Sequence, residues 1–140
     1  GGKGAVAKID VPVLCICLGM QAMMEKSEEA KGVEGMGIVQ GDARKLKGTV
    51  RLPQLGWNRV MLEKESRLFA GIADGEYFYF ANSYAAFPDG ADAVLATTEY
   101  GEKFASAIAA KNWFGVQFHP EKSGKAGEKL LGNFASICKL

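Results

Sequence analysis

Three residues near the two ends of the chain could together perform nucleophilic chemistry on a carbonyl group. Cys17 follows an apolar run and precedes Gly19, and it could supply a thiolate. His119 is the only histidine in the sequence, so no other residue offers an imidazole as general base. Glu121 lies two residues further on, where its carboxylate could accept the second ring proton of His119 and fix the tautomer. The order and spacing of these residues predict a Cys-His-Glu triad.

The sequence around Cys17 predicts a sharp turn from a strand into a helix. The apolar run over residues 11–17 is typical of a buried parallel strand. After Gly19 a helix is expected from the spacing of Met20, Met23, Met24 and Ser27. A helix N-terminus favours a thiolate, and the backbone N–H of Leu18 could donate to an oxyanion. Taken alone, a cysteine here is more often a buried core residue than a nucleophile.

The remainder of the chain predicts strands and one more helix. Strands are expected at residues 37–40, 57–62, 77–80, 94–98 and 104–109. A turn at residues 110–112 predicts a hairpin into a strand that ends at His119, because Pro120 cannot continue the ladder. Ser123 is a candidate N-cap for a C-terminal helix. Its expected apolar stripe is Ala126, Leu130, Leu131, Phe134 and Ile137. These elements predict an α/β fold in a single domain over residues 1–140.

Composition excludes several other classes of function. The net charge is +1, without the clustered basic excess that nucleic-acid binding requires. The longest apolar run, residues 11–18, is too short to cross a membrane. Three cysteines are an odd number, which favours a reducing, cytoplasmic compartment over a disulfide framework. One histidine with scattered cysteines gives no metal-ligand spacing, and no glycine-rich phosphate loop precedes a helix, so we expect neither a metal nor a cofactor.

Both parts of the predicted triad resemble segments of a known family. Residues 12–21, PVLCICLGMQ, are similar to the nucleophile segment of class I glutamine amidotransferases, and residues 114–123, FGVQFHPEKS, resemble their His-Pro-Glu segment. LGWN at residues 55–58 and YFYFANSY at residues 77–84 resemble the glutaminase subunits that serve imidazole glycerol phosphate synthesis. The resemblance extends over residues 12–137.

The resemblance implies an activity and a role for each site residue. Such subunits hydrolyse glutamine to glutamate and ammonia through a glutamyl thioester. Cys17 would be the nucleophile, His119 the base and then the acid, and Glu121 the group that orients His119. The positions that line the glutamine pocket in the family are Gln21, Ser83 and Tyr84.

The resemblance also implies a fold and a partner. The fold is the class I glutamine amidotransferase type, a flavodoxin-like mixed sheet flanked by helices. The partner is a cyclase subunit, a (β/α)₈ barrel that receives the ammonia and makes imidazole glycerol phosphate for histidine biosynthesis. Trp57, Tyr79 and Lys122 occupy the positions that face this cyclase.

Three departures from the family pattern leave alternatives open. The family's first βα units and second oxyanion segment have no counterpart in this sequence, which starts just ahead of the nucleophile strand. Cys15 replaces the usual glycine, so a strained elbow is expected. Gln54 and Asn82 stand where the relatives usually have histidine. The chain could thus be an active glutaminase or a non-catalytic remnant that binds the cyclase or another chain; Trp57-Asn58 argues against other amidotransferases.

Overall fold

Strands dominate the structure, a computed structural model that describes residues 9–28 and 35–139. The described strands are β1 (Val13–Ile16), β2 (Met24–Ser27), β3 (Val39–Lys45), β4 (Gln54–Leu62), β5 (Glu76–Asn82), β6 (Tyr84–Pro88), β7 (Val94–Tyr100), β8 (Glu102–Ala110) and β9 (Trp113–Val116). The described α-helices are α1 (Leu18–Ala22) and α2 (Gly124–Cys138). Single 3₁₀ turns cover Arg67–Phe69, Ala91–Ala93 and Pro120–Lys122. Neither described α-helix has the length and apolarity needed to cross a membrane.

The strands form one mixed sheet in the order β2-β3-β6-β8-β7-β4-β5, and β9 pairs with both β8 and β1. The pairs β1–β9 and β2–β3 are parallel, whereas the other pairs are antiparallel. In the parallel pair, Ile16 lies opposite Val116. The nucleophile strand and the strand before His119 are therefore direct neighbours that run in the same direction. The mixed α/β fold predicted from the sequence is confirmed.

Aromatic residues of β5 build the larger core. Phe78 and Phe80 are fully buried, while the intervening Tyr79 is half-buried. The ring of Phe118 contacts both, tilted against Phe78 with centroids 4.2 Å apart and edge-on to Phe80 with centroids 5.8 Å apart. Helix α2 contributes Leu130 to the same cluster. This packing fixes the segment that leads into His119 against β5.

The helix predicted after Cys17 is shorter than expected. It ends at Ala22, and Met24–Ser27 forms the strand β2 parallel to β3. Met20, Met23 and Met24 are fully buried, so their spacing reflects burial in a helix end and then in a strand. The N–H of Met23 donates to the carbonyl of Met20 at 3.0 Å, and this tight turn ends the helix. The helix prediction beyond Ala22 was wrong.

Most other predicted elements are present with altered bounds. The five predicted internal strands correspond to β3, β4, β5, β7 and β8, although β3 begins only at Val39. The predicted hairpin between β8 and β9 is confirmed, but β9 ends at Val116 and not at His119. Strand β1 is half-buried along its length, where full burial was expected. Leu131 of the predicted apolar stripe is exposed.

The contact between α2 and the Pro120–Lys122 turn depends on a glycine. A Cβ added at the buried Gly127 would lie 1.9 Å from the carbonyl oxygen of Pro120, whereas one added at Gly132 meets nothing within 4 Å. We predict that Gly127→Ala lowers the free energy of unfolding by about 1–3 kcal/mol because the turn must move. Gly132→Ala in the same helix should raise it by up to ~1 kcal/mol. Urea unfolding of both variants checks this, and equal effects would contradict it.

Candidate active site

Cys17 occupies a strained turn between β1 and α1. Strand β1 ends at Ile16 and α1 begins at Leu18, so the predicted strand-to-helix turn is confirmed. Cys17 itself has φ 55° and ψ −108°, a backbone conformation that residues other than glycine rarely adopt. Such strain costs on the order of 1–3 kcal/mol and persists only when surrounding contacts enforce it. The N–H of Cys17 makes one of these contacts, a 2.8 Å bond to the carbonyl of Val116.

The short helix α1 changes the stabilisation that is expected for the thiolate of Cys17. Helix α1 has five residues, so its macrodipole supports a thiolate less than the long helix expected from the sequence. The N–H of Leu18 remains suited to bind an anion, because the first N–H groups of a helix have no intrahelical acceptor. The Leu18 side chain is exposed, which leaves the surface beside the turn open.

Two groups contact the sulfur of Cys17 from different elements. The backbone carbonyl of Ala81, in β5, accepts a hydrogen bond from the thiol at 3.9 Å. The side-chain Nε2 of Gln117, just after β9, donates to the sulfur from 3.6 Å. The sulfur is thus held between an acceptor, which suits the thiol, and a donor, which suits the thiolate.

His119 and Glu121 form a directly bonded pair. His119 Nδ1 lies 2.9 Å from Glu121 Oε2, and both residues flank the start of the Pro120–Lys122 turn. With Nδ1 donating to the carboxylate, Nε2 carries the lone pair that a general base requires. The N–H of His119 donates to the carbonyl of Tyr79 at 2.9 Å, which fixes this segment to β5.

Strand β5 brings the two parts of the predicted triad together. Cys17 contacts Ala81 and His119 contacts Tyr79, two residues earlier on the same strand. Successive residues of a strand rise about 3.3 Å, so these two contacts lie roughly 7 Å apart along β5. Cys17 and the backbone of His119 therefore contact the same strand two residues apart, although about a hundred residues separate them in the sequence.

A pocket of about 300 Å³ opens beside the sulfur. It is lined by Cys17, Leu18, Gln21, Pro53, Ala81, Asn82, Ser83 and Tyr84. All of the residues predicted for substrate and oxyanion binding are in this lining. Gln21 is 3% exposed, and its Oε1 has no hydrogen-bond partner among the described residues.

Cys15 lies within β1 and not in the turn. It faces Gly115 in the parallel register, and its Cβ would be 3.3 Å from a Cβ added at Gly19. The absence of a side chain at Gly19 therefore gives Cys15 its space, and the unusual φ is found at Cys17. Burial raises the pKa of the Cys15 thiol above its ordinary value, which disfavours the reactive thiolate there.

The predicted partner residues lie close to one another at the surface. Trp57 is 54% exposed on β4, and its ring meets that of Tyr79 edge-on with centroids 6.1 Å apart. Lys122 is exposed in the turn that carries Glu121. Leu55 and Tyr77 on the same two strands are also exposed. Trp57 is thus part of an apolar surface patch and not of the core.

Two residues of the site were not assigned to it from the sequence. Gln117 lies in the strand that was predicted to end at His119, but its contact with the sulfur depends on pairing between distant strands. Ser123 was expected to cap α2, but its hydroxyl makes no capping bond. The hydroxyl donates to the carbonyl of His119 at 2.6 Å and accepts the N–H of Tyr79 at 3.0 Å. In the sequence, the only sign that Ser123 belongs to the site was its position as a polar residue directly after the His-Pro-Glu segment.

Comparison with known proteins shows the family to which the chain belongs. Residues 3–138 match the family model described as glutamine amidotransferase class-I, and the chain belongs to that family. A crystal structure of a glutamine amidotransferase superposes with a TM-score of 0.68 at 14% identity, covering 99% of this chain and 66% of that one. At this identity, the structural likeness establishes the fold alone.

Two curated relatives carry a more specific name, imidazole glycerol phosphate synthase subunit HisH. The protein from Pyrococcus furiosus is 52% identical over 127 residues, which cover 90% of this chain and 65% of the relative. The protein from Methanocaldococcus jannaschii is 49% identical over 127 residues, which cover 91% of this chain and 64% of the relative. The chain thus spans slightly less than two thirds of the length of these relatives.

Ser123 gives a test of how the His119 segment is held. The buried hydroxyl satisfies the N–H of Tyr79, so Ser123→Ala leaves that donor without a partner. We predict a loss of about 1–3 kcal/mol in the free energy of unfolding, measured with urea. The matched control, Ser136→Ala on the exposed side of α2, should change it by less than ~0.5 kcal/mol. A Ser123 variant as stable as the control would show that this contact is unimportant.

Proposed function

We propose that this chain is a glutaminase subunit that hydrolyses glutamine to glutamate and ammonia and delivers the ammonia to a cyclase for imidazole glycerol phosphate synthesis. One observation carries the proposal. A strained cysteine lines a small pocket beside β5, and the only histidine of the sequence, bonded to a carboxylate, contacts the same strand. The name shared by the relatives supports the pathway.

In the proposed reaction, an acyl transfer, each site residue has its own role. His119 takes the proton of Cys17, and the sulfur attacks the carboxamide carbon of glutamine. The N–H of Leu18 stabilises the resulting oxyanion. The C–N bond then breaks, and His119 returns the proton to the departing ammonia. Water, activated by the same histidine, hydrolyses the glutamyl thioester to glutamate and restores the thiol. Glu121 keeps Nε2 of His119 available throughout.

The pocket supports glutamine as the substrate. Its volume of about 300 Å³ suits a small amino acid. Ser83, between β5 and β6, and Tyr84, the first residue of β6, line the pocket together with Gln21. These residues would bind the amino-acid end of glutamine while its carboxamide faces Cys17.

The exposed patch around Trp57 supports a protein partner. Leu55, Trp57 and Tyr77 are each more than half exposed on adjacent strands, and large apolar side chains of this kind are typical of binding surfaces. Tyr79 contacts Trp57 and also accepts the N–H of His119. We propose that the cyclase barrel covers this patch, so that docking can change the position of the His119 segment through Tyr79.

Substitution of the two neighbouring cysteines tests the assignment of the nucleophile. Cys17→Ala should abolish both glutamine hydrolysis and covalent capture by a glutamine-analogue electrophile. Cys15→Gly is the matched control and should retain both, because Cys15 lies within β1 and burial raises the pKa of its thiol, which disfavours the reactive thiolate. Ammonia release and intact-protein mass spectrometry measure the two properties. Capture that persists in Cys17→Ala and is lost in Cys15→Gly would reverse the assignment.

Substitutions in the patch test the partner surface. Trp57→Ala should weaken binding to a cyclase subunit by about 2 kcal/mol, while its exposed position predicts that the fold survives. Lys122→Ala should change binding by no more than ~1 kcal/mol but lower the glutaminase activity stimulated by the cyclase ligand, since Lys122 lies beside Glu121. Lys125→Ala, exposed at the start of α2, is the control.

Calorimetric titration with the cyclase and ammonia release separate the two effects. If Lys122→Ala and Lys125→Ala behave alike, and Trp57→Ala binds the cyclase as tightly as the unmodified chain, the patch is not the docking surface.

A further inference from the structure

A continuous series of side-chain amides links β4 to the pocket. Asn58 Nδ2 donates to Gln54 Oε1 at 2.8 Å, and Gln54 Nε2 donates to Asn82 Oδ1 at 3.0 Å. Asn82 Nδ2 then donates to the backbone carbonyl of Tyr84 at 3.0 Å. Gln54 and Asn82 are 3% and 5% exposed. Buried amides that are all bonded to one another form a rigid unit, because rotating one of them breaks the bonds of its neighbours.

A second series starts at the same carbonyl and ends at the nucleophile. Gln21 Nε2 donates to the carbonyl of Tyr84 at 3.1 Å and to Gln117 Oε1 at 3.2 Å. Gln117 Nε2 donates to the sulfur of Cys17 at 3.6 Å. Gln117 is fully buried and Gln21 nearly so. The only group of Gln117 that faces the sulfur is therefore a donor.

Backbone carbonyls fix the direction of both series. A carbonyl can only accept, so Asn82 and Gln21 must each present nitrogen to Tyr84. At the far end, Asn58 Nδ2 donates to the carbonyl of Glu99 at 2.9 Å, and its Oδ1 accepts the N–H of Arg59 at 2.8 Å. The orientation of every amide thus follows from the hydrogen bonds themselves, which is how the oxygen and nitrogen of an amide are distinguished.

We propose that Gln117 is a further catalytic residue, a hydrogen-bond donor to the sulfur of Cys17, and that Gln21 is the positioning residue that keeps this donor aimed at it. The donor stabilises the anionic sulfur more than the neutral thiol, because hydrogen bonds to charged groups are the stronger ones. Gln21 holds the oxygen of Gln117 away from the sulfur, where it would repel a thiolate. This inference rests on the proposed function for its catalytic meaning, but the contact itself can be tested without glutamine.

The three cysteines of the chain permit an internally controlled experiment. Iodoacetamide labelling at neutral pH, followed by peptide mass spectrometry, gives a rate for each cysteine. Cys138 is exposed and serves as the reference, whereas faster labelling of Cys15, which is half-buried in β1 and whose thiol pKa is raised by burial, reports loss of the fold. In the unmodified chain, Cys17 should react faster than Cys138, because the side-chain amide of Gln117 donates to the sulfur of Cys17 and favours its thiolate.

The decisive variants remove the donor without changing the length of the side chain. Gln117→Glu should lower the Cys17 rate relative to Cys138 at least about tenfold. Gln117→Met, which has neither donor nor charge, should give a similar loss. If labelling of Cys15 shows that the glutamate variant unfolds, Gln117→Met alone tests the role of the donor. Gln21→Met should give a smaller loss, about threefold or more, since Gln117 can then rotate. Gln40→Met, at an exposed position of β3, should leave all three rates unchanged.

Two results would overturn the proposal. One is a Gln117→Met chain that keeps Cys15 protected and labels Cys17 at the unmodified rate. The other is an equal loss of Cys17 labelling in Gln40→Met. A failure of the proposed function is a separate result, because absent ammonia release from glutamine would leave the labelling differences between the Gln117 variants intact.

Discussion

Strands β1 and β9 lie parallel in a register that ends with Ile16 opposite Val116, and this pairing determines the geometry of the site. The next N–H, that of Cys17, continues the ladder with a 2.8 Å bond to Val116. The chain then turns immediately into α1, which places Cys17 in its unusual backbone conformation. On the other strand, the chain continues through Gln117 to His119. One strand pair thus places Gln117 in hydrogen-bond contact with Cys17 and leads directly into the segment of His119, the proposed base.

Strand β5 supplies the second fixed surface of the site. Its backbone contacts the sulfur at Ala81 and the His119 segment at Tyr79, and its buried phenylalanines anchor Phe118 between them. Its other face carries the exposed Tyr77 and the half-buried Tyr79, whose ring meets that of Trp57 edge-on. Strand β5 therefore connects the exposed patch around Trp57 to the His119 segment through one element. If the proposed cyclase docks on this patch, β5 offers a direct structural connection from the docked partner to His119.

The sequence predicted the features that depend on local pattern. The aromatic run at residues 77–80 alternates between the two sides of a strand, and β5 has this alternation. The spacing of Met20, Met23 and Met24 led to a wrong prediction of a longer helix. All three residues are buried, but Met20 lies in the helix and Met24 in the strand that follows it. Strand β6 was missed because it depends on pairing with β3 and β8. The amide series could not be predicted, since its members come from separate segments joined only by register.

The central claim is that Cys17 forms a glutamyl thioester, and trapping that intermediate tests it most directly. The chain, with a cyclase subunit and its ligand present, is mixed with isotopically labelled glutamine, quenched in acid during turnover, digested and mapped by mass spectrometry. The account predicts a labelled glutamyl group on the peptide that contains Cys17, and specifically on that residue. Ammonia release without any adduct, or an adduct on Cys15 or Cys138, would contradict it.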